Sequence, residues 1–161
     1  MRTAKKGVPF LTAAALFCLS SCGAAQNFPA RTDPDISQYA AEQDNCDIIA
    51  FTDMEEYPMS FDKITVTIKN QNTGESFYFF TIPVVEYSDN GKWTRLNYSP
   101  DSYNIPEQWA LCSVEGKPEW QFSTVMTIRH DSLEGSWKAG DYRAVVFAGG
   151  EKLYAPFVLK K

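Results

Sequence analysis

The chain carries one histidine, His130, set between Arg129 and Asp131. A relay of nucleophile, imidazole and carboxylate would have to be assembled around it, with a serine or cysteine brought in from elsewhere in the fold. Its place at the end of an alternating apolar run suits a solvated strand terminus instead. Asp53, Glu55 and Glu56 form a small acidic cluster that could attract calcium. They lack the regularly spaced oxygen ligands of a calcium loop and read as a solvated turn. One histidine with Cys46 and Cys112 cannot supply a zinc tetrad without carboxylates. No glycine-rich phosphate loop follows a strand and opens a helix. The expectation is a chain without catalytic residues, metal or cofactor.

The cysteines carry more information. Arg2, Lys5 and Lys6 make a basic start, and Val8 to Leu19 make an apolar run of 12 residues. As a helix that run would rise roughly 18 Å, against about 30 Å of bilayer hydrocarbon, so it reads as a processed export segment. It ends in Leu19-Ser20-Ser21-Cys22-Gly23, which resembles the lipobox of bacterial lipoproteins. The resemblance implies that residues 1–21 are a signal peptide and that Cys22 is diacylated and opens the mature chain. It also implies anchorage to the cell membrane or the outer membrane, facing the extracytoplasmic space. Two acyl chains hold a protein stably where one holds it marginally. Cys18 leaves with the signal. Cys46 and Cys112 remain, either as one bridge in an oxidising compartment or as two buried thiols.

Removing the three basic residues of the export segment from the 15 in the chain leaves 12 against 20 acidic ones, a formal charge near −8. A nucleic-acid surface needs a basic face, and electrostatic adhesion to anionic lipid needs the same, so neither is expected. That leaves the acyl chains on Cys22 as the membrane contact.

The elements that would have to position a site are strands. Residues 22–45 are small and polar, with Pro29 and Pro34, and read as a lipidated N-terminus and flexible tether. From Cys46 the pattern changes. Ile64, Val66 and Ile68 alternate with Lys63, Thr65, Thr67 and Lys69, the period of a half-buried strand. Ser76 to Tyr87 is a long apolar run with a bend at Pro83, and Asn90-Gly91 marks a hairpin. Trp120, Phe122, Thr124, Met126 and Ile128 share one face, and runs at 46–53, 92–97, 109–114, 141–148 and 152–159 complete the set. Seven to eight short strands over residues 46–161 predict an all-β antiparallel sandwich in one domain.

Gly140-Asp141-Tyr142-Arg143 places a glycine two residues before a tyrosine that opens an apolar strand, the setting of a tyrosine corner. Together with Tyr57-Pro58, Ile64-x-Val66-x-Ile68-x-Asn70 and Asn90-Gly91-Lys92-Trp93, it resembles the bacterial immunoglobulin-like domains of surface lipoproteins. What the resemblance implies is a fold and a surface location, with no common enzymatic activity. Ala144 stands where antibody domains carry their second cysteine, so their inter-sheet disulfide is not expected.

Two sets of residues remain as binding candidates. Asn70-Gln71-Asn72-Thr73-Gly74 is similar to the Asn-x-Thr-Thr-Gly loop of immunoglobulin-type inhibitors of cysteine proteases, although their Arg-Pro-Trp loop is missing. Trp109 and Trp137 lie in polar, turn-rich surroundings and could stack on sugar rings, although large rings more often fill a small core. The reading is a membrane-anchored, non-catalytic binding or scaffolding module whose partner is an envelope protein or glycan. A protease inhibitor or a glycan-binding module is the alternative.

Overall fold

The structure, a computed structural model, describes residues 32–37, 47–71, 75–99, 108–113, 115 and 122–161. Cys22, Cys46, Trp120 and the loop residues Asn72, Thr73 and Gly74 lie outside the described residues. The described residues fold into ten strands: β1 (Ile48–Thr52), β2 (Glu56–Pro58), β3 (Lys63–Asn70), β4 (Phe77–Phe80), β5 (Val84–Asp89), β6 (Lys92–Arg95), β7 (Trp109–Cys112), β8 (Ser123–Arg129), β9 (Gly140–Ala148) and β10 (Glu151–Lys160). No helix among them is long and apolar enough to cross a membrane.

A small sheet has the order β1-β3-β8, and a large one runs β2-β10-β9-β4-β7, with β5 also on β9 and β6 on β5. Alternation in β3 explains their packing. Ile64, Val66 and Ile68 are fully buried, while Thr65 and Thr67 look outward. The same alternation in β9 and β10 turns Tyr142, Ala144, Val146, Ala155, Phe157 and Leu159 toward them. The sandwich core lies between these two inner faces.

Chain-local signals account for two of the strand breaks. Asn90 and Gly91 hold φ values of 52° and 82°, the pair of positive angles a two-residue hairpin needs, and β5 and β6 pair across them. The apolar run expected over 76–87 is broken at Thr81–Pro83 into β4 and β5, because proline brings no N–H to a ladder. Both pieces still lie beside β9.

Two features depart from the sequence reading. β2 is only three residues long and pairs parallel to β10, with Leu159 opposite Tyr57. The chain thus crosses from the small sheet to the large one between Thr52 and Glu56. The second departure concerns the expected tether. Residues 32–37 lie against the outer face of the large sheet. There Asp33 pairs with Arg95 and with Lys152, the latter at 2.8 Å, and Ile36 packs on Val84, Val145 and Phe147.

Candidate functional site

At one end of the sandwich, the predicted tyrosine corner closes on the backbone. The Tyr142 hydroxyl donates to the Lys138 carbonyl and accepts from the Lys138 N–H, both at 2.9 Å. Gly140 is required there: its φ is +147°, and a Cβ would meet Tyr87 Cε2 at 3.0 Å. Trp137, one of the two stacking candidates, is only 8% exposed and has no face free for a sugar. Its Nε1 donates to the His130 carbonyl at 2.8 Å, and its ring lies 5.0 Å from Phe61 and 5.3 Å from Tyr142. Beside it Tyr87, Leu96, Leu133 and Gly135 line a cleft of about 70 Å³, far below the few hundred Å³ that a small-molecule site offers.

His130 itself is exposed at the end of β8, in a turn of 3-10 helix, with its ring edge-on to Phe61 at 5.0 Å. The carboxylate a relay would recruit, Asp131, is held by Arg129 at 3.1 Å, and that bond keeps its carboxyl below the usual range. The adjacent Ser132 hydroxyl donates to the Arg129 carbonyl at 2.6 Å. These three neighbours thus build a strand terminus. No group of three or more His, Cys, Asp or Glu is placed to hold a metal among the described residues.

The candidate inhibitory loop begins with a residue that points inward. Asn70 is 1% exposed; its Oδ1 accepts from the Asp47 N–H at 3.1 Å and its Nδ2 donates to the Glu75 carbonyl at 3.0 Å. Asn70 therefore ties the two ends of the loop together, leaving Gln71 as the exposed loop residue next to it. Losing that amide removes two part-buried hydrogen bonds, so Asn70→Ala is expected to cost about 1–3 kcal/mol in chemical denaturation. Cys112 is buried at the end of β7; its proposed partner Cys46 lies outside the described residues.

The acidic turn at 53–56 does structural work where the chain changes sheets. Asp53 Oδ1 accepts from the Tyr57 hydroxyl at 2.6 Å and from the Thr65 N–H at 2.9 Å. Glu56 pairs with Lys160 at 2.6 Å. Burial acts to raise the Asp53 carboxyl, but the two donors outweigh it and hold it below the usual carboxylate range. Burial first, and then the bond to Asp53, push the Tyr57 hydroxyl up to about 12. A phenol whose pKa rises on folding stabilises fully below its ordinary value near 10, and that contribution disappears as pH climbs toward the folded value. The melting temperature is therefore expected to fall between about pH 10 and 12 more steeply than in Tyr57→Phe, with phenolate absorbance reporting Tyr57. At the acid end, Asp53 contributes above the ordinary carboxylate pKa and loses its contribution as pH drops through its lowered value.

Several large side chains left in solvent lie on the outer sheet faces. On the large sheet, Trp93 from β6 is 37% exposed and Tyr154 from β10 is 45% exposed. The Arg143 guanidinium from β9 lies 4.2 Å from the centroid of each ring. Glu86 of β5 fixes that guanidinium through Nε at 2.7 Å and a second nitrogen at 2.6 Å. Four strands thus contribute to one preset aromatic group. Trp109, the second stacking candidate, lies further along this sheet, half-buried and edge-on to Phe80 at 5.7 Å. On the small sheet, the register places Phe51, Thr67 and Val125 in one row. Phe51 is 42% and Val125 61% exposed, and Ile49 stands beside the row.

No protein-family model matches the chain, and no curated protein matches it. The exposed ring pair was not foreseen in the sequence because it depends on the pairing of four strands. Its one local trace is the alternation that puts Trp93 opposite Ser88 on the outward side.

Proposed function

We propose that the chain is a lipid-anchored extracytoplasmic protein whose immunoglobulin-type sandwich serves as a non-catalytic binding or scaffolding module. The anchor is Cys22, acylated after removal of residues 1–21. Three features support the immunoglobulin type: the sheet change between β1 and β2, the parallel pairing of β2 with β10, and the Tyr142 hydroxyl closed on Lys138. One contrast carries the binding role. Groups with chemical potential, such as Asp53, Tyr57, Asn70 and Ser132, are engaged by the fold, while Phe51 and Val125 stand in solvent across the outer face of the small sheet. An apolar row on a threonine ground is what a protein contact uses.

A photoreactive amino acid at position 51 or 125 in the exporting cell tests this. A cross-linked adduct of defined mass is expected from both positions and absent from position 161. It should also disappear in a Phe51→Ser, Val125→Ser double variant whose melting temperature is unchanged. No adduct from either position contradicts the reading. A glycan-binding alternative finds support in the exposed rings of Trp93 and Tyr154 rather than in Trp109 and Trp137, and it predicts loss of sugar binding in Trp93→Ala. The inhibitor alternative is left with Gln71 and the residues that follow it.

A further inference from the structure

We infer that the outer face of the large sheet lies against the bilayer, with Trp93 and Tyr154 in the headgroup layer and residues 32–37 as the clip that holds this orientation. This rests on the reading of Cys22 as the lipidated residue.

The clip is built from two contacts. One carboxylate, Asp33, joins Arg95 on β6 to Lys152 on β10, spanning β5 and β9 between them. Three residues later Ile36 covers an apolar cluster of Val84, Val145 and Phe147, edged by Phe80 and Trp109. Between them Pro34 is half-buried, and its ring fixes the backbone angle of the crossing. Read toward the N-terminus, the chain passes from the Trp109 side to Arg95 and Lys152, which stand two residues from Trp93 on β6 and from Tyr154 on β10. Thr32, at the start of this clip, is thus held on the large sheet, while residue 47 opens the small one.

Chain arithmetic gives this attachment its consequence. From Cys22 to Thr32 is ten residues, which extend to at most about 35 Å and as coil average about 17 Å. Were the chain free up to residue 47, the corresponding lengths would be about 85 Å and about 28 Å. Two sheets pack about 10 Å apart, so with side chains on both outer faces the sandwich is roughly as thick as the short coil is long. A clipped chain therefore presents the face that holds residues 32–37, and the Phe51–Val125 row looks away from the membrane.

That near face has the chemistry of an interfacial surface. Trp and Tyr rings favour the headgroup level, where one end of each ring is apolar and the other wet. Here both are prepositioned by Arg143. These four cations of the face are each paired with a carboxylate: Glu86 answers Arg143, Asp33 answers both Arg95 and Lys152, and Glu56 answers Lys160. The contact is consequently one of ring insertion, with little dependence on lipid charge or salt.

The test uses the full chain purified from membranes and reconstituted into phosphatidylcholine vesicles whose acyl chains carry bromine near the headgroup. Tryptophan emission is read, with Trp93→Phe as the reference. The expected result is a quenched component that vanishes in Trp93→Phe and persists when anionic lipid or 0.5 M salt is added. In Asp33→Ala and in Lys152→Ala, which open the clip, that component should fall at least two-fold with the melting temperature held. Full quenching in both clip variants would overturn the clip. Absence of Trp93-dependent quenching in protein whose Cys22 is acylated by mass spectrometry would overturn the orientation while leaving the anchor intact; an unmodified Cys22 would remove the anchor itself. A Trp93 emission change on adding an N-acetylglucosamine oligomer without vesicles would assign the rings to a glycan and overturn the membrane contact.

Discussion

Trp137→Ala is expected to destabilise the sandwich by about 3–5 kcal/mol, the usual cost of deleting a large ring from a packed site. The indole is 8% exposed and meets the rings of Phe61 and Tyr142 at 5.0 and 5.3 Å. Truncation removes those contacts and leaves a void that the Tyr142 corner cannot close, because the phenol is fixed to Lys138 on both sides. The His130 carbonyl also loses its Nε1–H donor. For a domain of this size the change corresponds to a fall of roughly 12–20 °C in melting temperature. It would consume much of a total stability of about 5–15 kcal/mol. Trp93→Ala, on the open face, is expected to stay within about 1 kcal/mol of the parent. Equal melting temperatures for the two variants would contradict the placement of both rings.

Cys22→Ala is expected to shift the protein from almost wholly membrane-bound to almost wholly soluble, or to leave it unprocessed with residues 1–21 attached. Each buried methylene of an acyl chain contributes about 0.8 kcal/mol, so two long chains give attachment that does not reverse on the time of a fractionation. The remaining contacts of the clipped face are too few to replace them. Metabolic labelling with palmitate, followed by separation of membrane and soluble fractions, reads the result directly. Cys112→Ala is the matched control, since that side chain is buried, and it should leave partitioning unchanged.

The division between what was legible in the sequence and what was not follows the range of the interactions. β3 declared itself because its alternating Ile64, Val66 and Ile68 need only one buried face. The hairpin at Asn90-Gly91 and the corner at Gly140-x-Tyr142 declared themselves because turn geometry is set by the residues in the turn. β2 did not: Glu56, Tyr57 and Pro58 form a strand only because β10 arrives alongside, about a hundred residues later in the chain. The tryptophans mislead for a related reason. Trp137 has polar sequence neighbours, yet Phe61, His130 and Tyr142 surround its ring, whereas Trp93 sits in a strand and faces outward on the hairpin edge. Asp33 gave no signal at all. An acid in a proline-containing polar stretch acquires a role only when Arg95 and Lys152 are brought beneath it by different strands.

The candidate site shows the same limits. The reading of Cys22 rests on a linear processing sequence, which no fold has to assemble. The ring pair Trp93 and Tyr154 was not legible in this way, since the guanidinium that sets both rings comes from a third strand and its carboxylate from a fourth.

The account depends most on where the mature chain starts and what it carries. Mass spectrometry of the N-terminal peptide, taken from protein in its native membrane, settles both. The expected spectrum is a peptide beginning at Cys22 with the mass of a diacylglyceryl group added. A peptide beginning elsewhere, or an unmodified Cys22, would contradict it.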